Sequence, residues 1–265
     1  MVLEAKGQRT PLEKAPEPEL GTDLIPKERY TSREYMQLEW DRMWTKVWLM
    51  GPRESDLSEV GDYIVEDIGT ESILFVRAEP GVVRGYYNVC QHRGNRLRHD
   101  SQGRTQSFQC PYHLWEYNLD GTTKFVPDEG DFTQGCEGIG LIEVPVDTWA
   151  GWVWFNLDPN AGPLHDYLGM IPEHLDPYHI EEQTLVRDWT IEWACNWKTA
   201  VDAFNEVYHV QGIHPQLLEM LDDINVQIDL YERHNRYLVP FGVLSPRFEN
   251  QEEITEALRE MMRAA

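Results

Sequence analysis

Two short runs constrain this chain more than anything else in it: Cys90-Gln91-His92 and Cys110-Pro111-Tyr112-His113. Each offers one thiolate and one imidazole, and seventeen residues separate His92 from Cys110. A [2Fe–2S] cluster with mixed ligation needs this set, two Cys on one iron and two His on the other. Two loops that each give one ligand to each iron would meet the cluster from opposite sides, over a rigid β base. Zinc also takes two Cys and two His, but in zinc fingers a Cys pair is followed by a His pair. Here Cys and His alternate across both loops, the wrong order for a finger.

The surrounding texture supplies the base. From Gly51 to about Asp158, short β-rich runs such as Tyr63-Ile64-Val65, Ser72-Ile73-Leu74-Phe75-Val76 and Gly151-Trp152-Val153-Trp154-Phe155 alternate with Gly, Pro and Asp turns, the pattern of a small antiparallel domain. Before it, residues 1–27 read as an arm. Thr31 to about Trp48 reads as a helix, with Thr31 at the N-cap and Glu34 closing a capping box. After it, the spacing predicts a strand over Leu185–Trp193, a helix over Asn196–Val210, a strand over Asn225–Tyr231 and a capped amphipathic helix over Asn250–Ala265. The expected fold is α+β: arm and helix over 1–45, an antiparallel β domain over 46–160, and mixed helices and strands over 161–265.

A second constellation lies in the run Asn196–Pro215. On a helix, Asp202, Glu206 and His209 share one face at i, i+4 and i+7. His214 is five residues beyond His209, about 140° round a regular helix, so both imidazoles reach one metal only if the helix bends or breaks. Gly212 and Pro215 supply the means. Two His and one carboxylate form the ligand set of non-haem Fe(II) oxygenases, although an isolated His pair more often packs or lies on the surface.

Taken together, these runs resemble a known family. Cys90-Gln91-His92-Arg93-Gly94-Asn95 and Cys110 to Gly121 resemble the Rieske loops of ring-hydroxylating oxygenases, which usually carry Gly where Leu114 stands. Respiratory Rieske proteins have an extra Cys in each loop, joined by a disulfide; Gln91, Pro111 and Tyr112 fill those loop positions here. The run from Asn196 resembles the same family's Asn-Trp-Lys…Asp/Glu-x-x-His-x₄-His motif, and the likeness extends over most of residues 30–220.

The resemblance implies the α (terminal oxygenase) subunit of a Rieske non-haem iron oxygenase, with 161–265 as part of its catalytic mononuclear-iron domain, an antiparallel sheet covered by helices. Cys90, His92, Cys110 and His113 would hold a [2Fe–2S] cluster of low reduction potential, and His209 and His214 a mononuclear non-haem Fe(II). Glu206 matches the bridging carboxylate that, in a head-to-tail trimer, joins a Rieske His of one subunit to an iron-ligating His of its neighbour; Asp202 is the other candidate catalytic carboxylate. Electrons from NAD(P)H would arrive through a reductase or ferredoxin, enter at His92/His113 and pass via His113–Glu206–His209. The implied reaction uses O₂ to hydroxylate an aromatic or other apolar organic substrate, with or without a β subunit in the assembly. Most aromatic dioxygenases have Asp at the bridging position. Glu recurs in subgroups acting on other substrates, quaternary ammonium compounds included, so oxidative demethylation or monooxygenation is the alternative. An electron carrier or inactive fragment without catalytic iron is the rival of another class.

Composition narrows the partners. The formal net charge of −23 repels nucleic acid and anionic membranes, and no run approaches the roughly 18 apolar residues of a membrane span. The start of the chain lacks the apolar core of a signal peptide, and the four cysteines form no disulfide framework, which points to the cytoplasm. Between Cys90 and Cys110, however, Arg93, Arg96, Arg98 and Arg104 face one acid, Asp100. These arginines either pair internally or form a basic collar that steers an acidic ferredoxin. The family's third iron ligand is an Asp far downstream, yet only 51 residues follow His214. Asp222 and Asp223 read as a solvated turn and Asp229 as part of a strand. The expectation is therefore the front part of a longer oxygenase, one that holds the cluster, binds mononuclear iron weakly and does not turn over substrate alone.

Overall fold

The computed structural model describes residue 15 and residues 18–248; the helix expected over 250–265 lies outside the described residues. The fold is α+β with antiparallel sheets. It divides into two units, one of Arg33–Trp189 and one that joins residues up to Ser32 to those from Thr190 onward.

The single helix expected over 31–48 is in fact several pieces. Helix α1 (Glu28–Thr31) ends where the Thr31 hydroxyl donates back to the Lys27 carbonyl at 3.2 Å, and Ser32 is extended. Thr31 thus closes one helix instead of capping the next, the local competition that hydroxyl side chains offer a helix. Helix α2 (Arg33–Glu39) runs into a π-helical turn, Trp40–Trp44, and Trp48 already opens a strand.

The Arg33–Trp189 unit is built on strands β1 (Trp48–Arg53), β2 (Asp62–Ile68), β3 (Glu71–Glu79), β4 (Val82–Tyr87), β5 (Gln102–Arg104), β6 (Phe108–Gln109), β7 (Glu116–Tyr117), β8 (Thr123–Phe125), β9 (Glu143–Val144), β10 (Val146–Trp149) and β11 (Trp152–Asn156). They form a five-stranded sheet, β5-β2-β3-β4-β9, and two three-stranded sheets, β1-β11-β10 and β6-β7-β8. The sequence of β3 explains why it is central. Ile73, Leu74, Phe75 and Val76 are all fully buried, so the strand is apolar on both faces, as a strand covered on both sides must be. Its alternation divides it between two cores. Leu74 and Val76 pack with Tyr63, Tyr86, Phe108, Tyr117 and the two loop cysteines, while Ile73 and Phe75 pack with Leu57, Val144, Val153 and Phe155. Burying each such side chain contributes about 1.5–3 kcal/mol. Gly121 is required where it stands: its φ is +84°, and a Cβ there would lie 2.6 Å from the Tyr86 ring. Helices α3 (Leu164–Leu168) and α4 (Ile171–Leu175) follow the sheet, with Leu164 and Leu168 buried against Trp48.

Residues 185–193 are not a strand. No strand pairs with them among the described residues, and Leu185, Val186, Trp189, Ile191 and Trp193 are exposed. Alternation supplies the faces of a strand, but a neighbouring edge must supply its hydrogen bonds.

The other unit carries α5 (Trp197–Phe204), α6 (Val210–Ile213) and the hairpin β12 (Gln227–Leu230) and β13 (Asn235–Leu238). Its core gathers Val207, Val210 and Leu221, with Tyr237 and Val239 against them. The arm is tied to this unit: the Ala15 N–H donates to Asp229 Oδ1 at 2.7 Å and the Tyr30 hydroxyl to Asp202 at 2.8 Å. Among the described residues no helix is long and apolar enough to cross a membrane.

Candidate metal centres

The two Cys/His loops share one backbone design. In the first, the Gly94 N–H donates to the Cys90 carbonyl at 2.9 Å and the Cys90 N–H to the Asn95 carbonyl at 2.8 Å; in the second, Leu114 donates to Cys110 at 3.0 Å and Cys110 to Trp115 at 2.8 Å. Each turn needs a left-handed residue at its fifth position. Gly94 has φ +73° and Leu114 φ +63°. This is the physical reason glycine suits position 114, and a leucine held there costs about 1–2 kcal/mol.

The loops converge as the spacing requires. Cys90 and Cys110 are 2% and 1% exposed and free of disulfides. The His92 and His113 rings lie 4.6 Å apart, edge to face. His92 Nδ1 is buried and has no hydrogen-bond partner among the described residues. A buried ring nitrogen without a partner is costly, and a metal bond would satisfy it. No three of the four ligand atoms sit within 4.8 Å of one another, wider than one tetrahedral zinc with bonds of about 2.0–2.3 Å would hold them. The residues therefore fit a two-iron group better than a single ion.

Donors are already aimed at the sulfurs. The Tyr117 hydroxyl lies 3.3 Å from Cys90 Sγ and accepts from the Gln91 N–H at 3.0 Å, and Asn95 Nδ2 lies 3.8 Å from Cys110 Sγ. Burial pushes the Cys90 thiol up, against the Tyr117 hydrogen bond, and pulls the His92 imidazole down, with His113 and Arg93 adding to it. Without metal the pocket thus favours the neutral Cys90 thiol and the neutral His92 imidazole, so binding metal through Cys90 releases its proton. Tyr117 and Asn95 have no signal in the spacing of metal ligands, and sequence reasoning passed over both.

Three of the four arginines are occupied internally. Arg96 grips Asp67 at 2.9 Å, and Arg104 grips Asp62 at 2.6 Å. Arg98 donates to Thr105 and the Ser107 carbonyl and lies over the Tyr63 and Phe108 rings. Only Arg93 is exposed with no hydrogen bond or ion pair among the described residues. A four-arginine collar is not what the fold presents.

The second constellation forms by a different route from the one its spacing suggests. Asn196 caps α5, accepting from the Lys198 N–H at 3.1 Å, and the helix stops at Phe204. Asp202 and Glu206 therefore do not share a helix face. Asp202 turns to Tyr30, while Glu206 sits in the turn before α6. There its carboxylate accepts from the His209 N–H at 3.1 Å and from His209 Nδ1. That contact holds the Glu206 carboxyl below the usual range. It also leaves Nε2 of His209 for a metal, as a carboxylate behind a ligating imidazole does. The short α6 ends at His214, followed by Pro215, and this brings the His209 and His214 rings to 5.5 Å, edge to face.

No third ligand joins the pair among the described residues. Asp222 and Asp223 are buried, not a solvated turn. Asp222 accepts from the Ile224 and Asn225 N–H groups and the Asn225 amide. Asp223 binds Ser245 and Arg247. Asp229 lies in β12 and binds Arg236, Gln227 and Ala15. All three carboxylates are committed to holding the fold. The hydroxyl of Tyr237, on β13 against Val207 and Val210, is buried without a partner. Burial, with Glu206 and Asp223 nearby, pushes it up to about 12.

Residues 47–144 match the family described as Rieske [2Fe-2S] domain, and residues 180–261 the ring hydroxylating alpha subunit (catalytic domain). The chain carries a Rieske domain followed by a ring-hydroxylating α-subunit catalytic domain, and its homologues are Rieske oxygenase α subunits. The cofactors of these two domains are a [2Fe–2S] cluster and a mononuclear non-haem iron. Among related α subunits, the glycine betaine monooxygenase oxygenase subunit of Pseudomonas aeruginosa is 30% identical over 203 residues, 76% of this chain and 47% of that one. The carnitine monooxygenase oxygenase subunit of Escherichia coli K12 is 30% identical over 234 residues, 84% of this chain and 59% of that one. A quaternary ammonium Rieske monooxygenase solved with L-carnitine superposes with a TM-score of 0.72 at 28% identity, covering 81% of this chain and 62% of that one. The chain thus spans about half the length of the curated relatives it matches.

Proposed function

We propose that this chain is the cluster-bearing part of a Rieske monooxygenase acting on a quaternary ammonium compound. The observation that carries the reading is the pairing of two buried cysteines with two adjacent imidazole rings, one of them His92, whose buried Nδ1 has no hydrogen-bond partner among the described residues. On this reading Cys90, His92, Cys110 and His113 hold the cluster, and His214 and His209 hold iron, His209 through the Nε2 that Glu206 leaves free. Bound, the two centres supply stored electrons and O₂ activation. The protein's own work is to fix imidazole tautomers through Glu206, to donate hydrogen bonds to the thiolates through Tyr117 and Asn95, and to exclude water from the cysteine side.

The quaternary ammonium substrate is favoured over an aromatic one by Glu206 at the bridging position and by the relatives' named substrates. Phe204 and Tyr208, exposed and within five residues of His209 in the chain, offer aromatic faces of the kind on which N-methylated cations rest. NAD(P)H would feed the cluster through a reductase or ferredoxin in the cytoplasm, and a head-to-tail trimer would bring Glu206 of one subunit to His113 of the next.

Two measurements test this. Purified anaerobically, the chain should carry iron and acid-labile sulfide with the EPR signature of mixed Cys/His ligation, lost in Cys90→Ser and His113→Ala. Supplied with an electron donor, the protein containing this chain should consume carnitine or glycine betaine in preference to naphthalene. An all-cysteine signature, or preferential oxidation of naphthalene, would refute the corresponding half.

A further inference from the structure

The two cluster imidazoles are not held alike. The ring of His92 lies flat on the indole of Trp115, centroids 5.0 Å apart and planes 4° from parallel. Phe132 meets both rings edge-on, at 6.1 Å from His92 and 5.7 Å from Trp115. Trp115 cannot drift: it is 3% exposed, and its carbonyl accepts the Cys110 N–H that closes the second loop. His113 is held differently: among the described residues its ring meets the edge of His92 at 4.6 Å and the tilted ring of Tyr112 at 3.8 Å, and Tyr112 is itself 62% exposed, whereas Trp115 is buried.

We propose that Trp115 is a positioning residue for the cluster, its indole fixing the plane of the His92 ring while Phe132 closes the open edge. An imidazole bound through one nitrogen can still rotate about its metal bond, and the overlap of its orbitals with the iron changes as it turns. A stacked indole removes that freedom, and aromatic pairs of this kind add to the stabilisation from burial alone. Loop closure and ring orientation then depend on the same residue, because the backbone that ties down Cys110 also carries the ring that ties down His92. The inference rests on His92 being a cluster ligand.

The test uses the full chain with its cluster, chemically reduced. Pulsed EPR reads the two imidazole nitrogen couplings, and a redox titration followed by circular dichroism reads the midpoint potential. Trp115→Leu should shift one coupling and move the potential at unchanged iron and sulfide content. Trp115→Phe, which keeps a ring face, should restore both towards wild type, and Tyr112→Leu should leave the shifted coupling alone. Unchanged couplings and potential in Trp115→Leu with a full cluster would overturn the proposal. Should Trp115→Leu fail to hold a cluster, Phe132→Leu decides, since Phe132 is 36% exposed and its loss leaves the loop closure intact. A shift of one coupling supports the bracket, and no shift overturns it. Wild-type protein showing no nitrogen couplings would instead refute the ligand assignment.

Discussion

Leu114 shows how far one residue can be understood from the letters around it. The sequence marks it as a departure from the family's glycine, and only the structure supplies the reason, a left-handed φ of +63° matched by +73° at Gly94 in the sister loop. Restoring glycine relieves about 1–2 kcal/mol of backbone strain and adds about 0.5–1 kcal/mol of unfolded-state entropy. Leu114→Gly is therefore expected to stabilise the chain by about 0.5–1 kcal/mol in a urea titration, and equal or lower stability would contradict the strain. Tyr117 illustrates the opposite case, a residue invisible to ligand spacing. With Cys90 as a cluster ligand, the Tyr117 hydroxyl at 3.3 Å from Cys90 Sγ would favour the more negative, reduced cluster, because hydrogen bonds to the sulfurs set cluster potentials. Tyr117→Phe should lower the midpoint potential by tens of millivolts without changing iron content, as read by redox titration. A potential that stayed put would mean the hydroxyl does not act on the sulfur.

At the scale of elements, β3 was legible and α5 only half so. A run of four apolar residues between turn signals announces a buried strand, and the period of two sends Leu74 and Val76 to the cluster side and Ile73 and Phe75 to the other. Phe75→Ala should cost about 3–5 kcal/mol in equilibrium unfolding while leaving the cluster's EPR line shape intact in the folded fraction. A cost near zero would show that the second core does not bear on the sheet. The α5 segment carried its start plainly, through the Asn196 cap. Its end was misplaced, because the period of 3.6 continues on paper past Phe204, whereas the Glu206 carboxylate takes the His209 N–H and begins a new turn. Side-chain competition for backbone hydrogen bonds has no periodicity to read. The strand expected over 185–193 failed for a related reason: no strand among the described residues pairs with it, and a period of two does not supply a hydrogen-bonding neighbour.

Across the whole molecule, acid is the expected weakness. Asp62, held low first by its hydrogen bond from Arg104, and Glu116, held low first by Lys124, have folded pKa values below their unfolded ones near 3.9 and 4.3. Their contribution is complete above the unfolded values and is lost as the pH falls through the folded ones. Asp62→Asn should thus destabilise by up to about 1 kcal/mol at neutral pH and by nothing once the carboxyl is protonated; a difference that persisted there would rule out the pair. The sequence by itself determined the β base and the resemblance to Rieske oxygenase α subunits, and it named the Cys/His quartet and the His pair as candidate ligands, because these depend on residue type at fixed short spacing. It could not decide the fate of long-range charges. Arg96 and Arg104 find Asp67 and Asp62, and Asp223 finds Arg247, so a basic collar and a solvated acidic turn both dissolve into internal pairs. Nor could it place Trp115 against His92 or turn Asp202 towards Tyr30. Which groups meet across tens or hundreds of residues is set by how the sheets and helices pack, and no local period encodes that.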